Sequence, residues 1–143
     1  MVSRISHRVL GWDMAGAVDA VGAGVADLAP GDSVVGVSNP MFAQAGTQAE
    51  FIVLHSSNLA PAPAGLSTAA ASTIHANGLA ALQSLDALRL AVGSALAITG
   101  AAGAVGAYAA ELGLQRGLRV LGIGGLQDDG FITGLGAEFG CRR

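Results

Sequence analysis

Residues 95–125 constrain this chain more than any other stretch. Ala95-Leu-Ala-Ile-Thr99 is a short uncharged run that reads as a buried strand. Gly100-Ala-Ala-Gly-Ala-Val-Gly106 follows, a glycine-rich turn. Beyond it Val105, Tyr108, Ala109 and Leu112 recur at helical spacing, and Gly117 stands where a helix is closed by a left-handed residue. Residues 118–123, Arg119 apart, are again apolar. The pattern predicts a strand over 95–99, a helix over 103–116 and a strand over 119–123. Two such strands are expected to lie side by side, parallel, with a right-handed crossover.

A strand, a glycine turn and a helix in this order form the opening of a dinucleotide-binding fold. A pyrophosphate sits at the helix N-terminus, where free amides and the helix dipole favour an anion. Gly103 occupies the place where a bare backbone lets phosphate approach, and Gly106 the place where helix and strand pack closely. The first glycine of G-x-G-x-x-G would fall on Ala101, and Gly100 stands one place earlier. The candidate cofactor-binding residues are therefore Gly100, Ala101, Ala102, Gly103, Ala104, Val105 and, at the end of the second strand, Gly124. A glycine-rich packing turn without ligand is the alternative.

Composition narrows the function classes. The chain has 143 residues, of which 52% are apolar, 4% aromatic and 12% charged, so alanine and glycine make much of the apolar count. A net charge of −3 with seven scattered basic residues offers no nucleic-acid surface. The single cysteine, Cys141, rules out a disulfide framework or a cysteine-rich zinc site. Residues 1–10 carry Arg4 and Arg8 but no apolar core of a signal peptide, and are expected to be a solvated tail. Residues 91–110 are uncharged and long enough to span a bilayer, but consist mostly of Ala, Gly, Ser and Thr, which argues against insertion. A cytoplasmic protein is expected.

The first half is punctuated by glycine and reads as β-rich. Residues 11–22 suggest a strand of small residues, and Pro30-Gly31-Asp32 a turn. Strands are expected over 33–37 and 48–54, with a loop holding Asn39-Pro40 between them. Residues 59–65 are expected to form a seam between domains. Ser67 suits the N-cap of a helix beginning at Thr68, and a second helix is expected over about 78–85. His7, His55 and His75 have no ligand-like spacing with Cys141, so no metal site is expected.

Gly11-Trp-Asp-Met-Ala-Gly-Ala-Val18, Gly31-Asp32 with Val34, Gln48-Ala-Glu-Phe51, Gly65-Leu-Ser67, Gly100 to Gly106 and Leu135-Gly-Ala137 occur in that order. In this ordered set the chain resembles the medium-chain dehydrogenase/reductase superfamily, and within it the zinc-independent quinone oxidoreductase (zeta-crystallin-like) branch. The resemblance implies an α/β fold: a partial GroES-like β domain over residues 1–60, then linker helices and the opening β-α-β unit of a Rossmann fold over 61–143. It implies a substrate cleft between those domains, NADP as cofactor, and hydride transfer to a quinone or an α,β-unsaturated carbonyl. It allows a homodimer for a full-length parent. Family members are more than twice as long, so the chain reads as a fragment truncated at both ends, and the tail 138–143 does not resemble the family's next strand. Little activity is expected of the chain alone.

Departures from the family pattern shape the expectation. Zinc-dependent relatives have Gly-His-Glu where this chain has Gly11-Trp12-Asp13, and tryptophan cannot ligate metal. No counterpart of the loop with four structural cysteines is present. An acid about 20 residues after the first glycine would bind the ribose 2′-hydroxyl of NAD. Gly122-Ile-Gly-Gly125 has none, which favours NADP over NAD; Asp128 and Asp129 come slightly late and suit the start of a helix. Three readings stay open: a piece of an active oxidoreductase, a non-catalytic nucleotide-binding or structural protein, and a non-functional remnant.

Overall fold

The computed structural model describes residues 9–38 and 46–141. The loop with Asn39-Pro40, His7 and most of the basic tail lie outside the described residues. The chain divides into two compact units, residues 1–76 and 77–143.

The first unit is built on an antiparallel sheet in the order β1-β2-β3, from β1 (Asp13–Ala17), β2 (Ser33–Val37) and β3 (Leu59–Pro61). β2 is central because it carries the branched apolar residues: Val34 and Val35 are buried. β1 pairs with it from Asp13↔Val37 to Ala17↔Ser33. The turn at Pro30-Gly31-Asp32 forms as the sequence suggests: Gly31 adopts φ 95°, and the Asp32 carboxylate accepts from the Ala29 amide at 2.8 Å. The 11–22 stretch is shorter as a strand than expected, since pairing with β2 ends at Ala17.

The expected third strand is elsewhere. Residues 48–54 form no ladder; the strand is Leu59–Pro61, within the segment expected to be a seam. The alternation at 51–54 is real, with Phe51 and Val53 exposed and Ile52 and Leu54 half-buried. Alternation alone does not make a strand, because a ladder needs a partner with free amides and carbonyls. β3 has one in β2, from Val34↔Pro61 to Gly36↔Leu59, and its proline is tolerated because β3 is an edge.

Ser67 caps the short helix α1 (Thr68–Ala71), its hydroxyl accepting from the Ala70 amide at 3.2 Å. The longer helix α2 (His75–Leu88) is preceded by Ile74, which has no capping oxygen. Asp13 of β1 supplies one instead, its carboxylate accepting from the Ala76 amide at 2.7 Å.

The second unit is a three-stranded parallel sheet in the order β4-β5-β6, from β4 (Ala95–Thr99), β5 (Arg119–Gly124) and β6 (Glu138–Cys141). Helix α3 (Ala104–Gln115) joins the first two strands and α4 (Asp129–Gly134) the last two. The parallel register runs from Ala95↔Arg119 to Thr99↔Ile123, so the strand, helix and strand expected over 95–123 are all present. Because 91–110 is divided between a strand, a turn and a helix, it is not a span; among the described residues no helix is long and apolar enough to cross a membrane. The tail corrects the sequence reading: residues 138–141 do form the next parallel strand, paired with β5 from Leu121↔Glu138 to Gly124↔Cys141. Four residues, of which one is a glycine and one a glutamate, gave too little periodicity to see it, and β5 supplies the missing information as a template.

The core of this unit is small-grained. Leu85, Ala101, Ala110, Leu118, Val120, Ile132 and Ala137 are buried together. Gly113 brings α3 against the sheet, since a Cβ there would lie 3.2 Å from Val120 and 3.4 Å from Leu96. The helix closes as expected at Gly117, whose φ of 75° lets its amide reach the Leu114 carbonyl at 2.9 Å while Leu118 reaches Gly113 at 3.0 Å. Arg116 then pairs with Asp86 of α2 at 2.7 Å.

The Asp13 cap gives a direct test. Asp13→Ala is expected to lower stability by about 1 kcal/mol, and Asp13→Asn, which keeps the acceptor, by much less. Urea unfolding of the three proteins measures both.

Candidate dinucleotide site

The site lies at the C-terminal ends of β4 and β5. In an open parallel sheet this edge carries the ligand crevice. β4 ends at Thr99 and the chain must reverse at once to start α3. Gly100 makes the reversal in the left-handed region, at φ 67°. The turn is then tied to the neighbouring strand: the amides of Gly100 and Ala101 both donate to the Ile123 carbonyl, at 2.9 and 3.3 Å. Gly103 donates to Gly100 at 2.9 Å and takes the N-cap position of α3.

These bonds sort the seven candidate residues. Gly100 and Ala101 are committed to the sheet, and Ala101 is fully buried, with its methyl in the core. Among the described residues, the amides of Ala102, Ala104, Val105 and Gly106 carry no backbone hydrogen bond. Gly103, Ala104 and Val105 are exposed, and Ala102 and Gly106 half-buried. The open donors thus gather in the first turn of α3, where the helix dipole adds partial positive charge. Apart from Val105, no side chain in this turn is larger than a methyl group. Gly106 serves packing: a Cβ there would collide with the Gly100 carbonyl and lie 2.8 Å from the Ala101 Cα. A groove of about 350 Å³ adjoins the turn, lined chiefly by apolar residues including Leu85, Leu88, Leu96, Ile98 and Val105.

Gly124, the remaining candidate, ends β5 beside this turn. Its neighbourhood holds a residue that spacing alone did not select. After β5 the chain makes a 3-10 turn over Leu126–Asp128, and the Asp128 carboxylate folds back to accept from the Gly125 amide at 2.8 Å. Asp129 begins α4 and Asp128 stands at its N-cap position, so the two acids lie at the start of a helix as expected. The signal available in the sequence was the spacing Gly125-x-x-Asp128, which is that of a side chain reaching back to cap a turn.

Among the described residues no three His, Cys, Asp or Glu side chains gather as a metal-binding group. His55 caps a 3-10 turn, its Nδ1 accepting from the Ser57 amide at 3.3 Å, and His75 starts α2. Trp12 is 46% exposed, just before β1.

Comparison with known proteins agrees with this architecture. Residues 3–64 match the alcohol dehydrogenase GroES-like domain family. A zinc-type alcohol dehydrogenase-like protein of Staphylococcus aureus is 30% identical over 121 residues, covering 80% of this chain and 36% of that protein. The quinone oxidoreductase of Coxiella burnetii superposes with a TM-score of 0.87 at 29% identity, covering 95% of this chain and 42% of the other. A mycobacterial protein solved with NADPH superposes with a TM-score of 0.84 at 26% identity, over 95% of this chain and 42% of the other. These likenesses, with an antiparallel GroES-like sheet followed by a parallel β-α-β sheet, place the chain in the medium-chain dehydrogenase/reductase superfamily. It spans about two fifths of these relatives' lengths.

The close approach at Gly106 predicts a folding defect. Gly106→Val is expected to destabilise the parallel unit by about 3 kcal/mol, because the new side chain meets backbone that cannot move aside. Thermal unfolding followed by circular dichroism measures the loss.

Proposed function

We propose that the chain is the dinucleotide-binding part of an oxidoreductase of the quinone oxidoreductase type, acting by hydride transfer to a quinone or an α,β-unsaturated carbonyl. One observation carries the reading: four open amides in the first turn of a helix, at the C-terminal edge of a parallel sheet, with no bulky group at Gly103 to keep an anion away. Ala102, Ala104, Val105 and Gly106 would hold the pyrophosphate through their N–H groups. The bound nicotinamide supplies the hydride chemistry, and the protein's part is to bind and orient it. The likeness to the Coxiella burnetii quinone oxidoreductase supports the acceptor class.

No zinc enters the proposal. Trp12 stands where the resembled zinc-dependent proteins have a histidine ligand, and its indole offers no lone pair to a metal. For the form of the cofactor two observations pull apart. β5 contains no acid, which speaks for NADPH, as does the relative solved with it. Asp128 nevertheless brings a carboxylate to the tip of β5.

Titration calorimetry of the 143-residue protein with NADH and NADPH tests the site. Binding of at least one is expected, and Gly103→Val should abolish it while the far-ultraviolet circular dichroism is retained. Equal binding by native protein and Gly103→Val would place the phosphate elsewhere. Turnover with a quinone series separates a reductase from a non-catalytic nucleotide-binding protein.

Metal analysis forms a separate test. The purified protein is expected to hold no stoichiometric zinc. One zinc per chain, lost on replacing His55 or His75, would contradict that.

A further inference from the structure

We draw no further inference here: the strongest candidate, the apolar groove beside the edge strand β4 that Leu85 and Leu88 of α2 line together with Leu96, Ile98 and Val105, is an unpartnered face, and nothing in the structure shows what covers it.

Discussion

Two hydrogen bonds to one carbonyl organise the second unit. The amides of Gly100 and Ala101 both end on Ile123, and they can do so only because Gly100 takes up a left-handed conformation. That commitment has two consequences. It locks the turn after β4 to the neighbouring strand, so the start of α3 is held by the sheet. It also spends the inward donors of the turn, so that the donors left over face outward in the next residues. A cradle for an anion results from where the backbone's own needs have been met, without a charged side chain in the turn.

Close packing of small residues makes the geometry possible. Ala101 and Ala110 are fully buried, and Gly106 and Gly113 admit no side chain without displacing backbone or sheet residues. Little apolar area is buried per residue in such a core, so close contact matters more than bulk. Ile132 is the one large side chain fully buried among the described residues, and it fills the space left by Gly122 and Gly124. The same pair of glycines leaves the tip of β5 without a side chain and gives Asp128 somewhere to reach. Packing under the sheet and charge at its edge are thus coupled through α4, which carries Ile132 in its middle and Asp128 at its start.

The first unit depends on local caps around a thin sheet. β2 provides the buried valines, while the Asp32 turn joins β1 to it and the His55 cap precedes β3. Asp13 links strand to helix by capping α2. In the superfamily pattern that carboxylate stands beside the residue occupied here by Trp12, and in this chain it serves the backbone.

The sequence by itself determined those features whose physics is local. The strand, glycine turn, helix and strand over 95–124 follow from apolar runs, helical spacing and glycine placement within about thirty residues. The Ser67 cap and the Gly117 closure each need only four or five neighbours. Tertiary structure decided what depends on a partner elsewhere. β3 exists at 59–61 because β2 offers it an edge, whereas the better alternation at 51–54 finds no ladder. β6 exists because β5 templates it. Asp128 reaches the tip of β5 because a 3-10 turn folds it back across residues that a linear count treats as separation. Spacing along a chain measures distance only while the chain stays regular, and at this turn it does not.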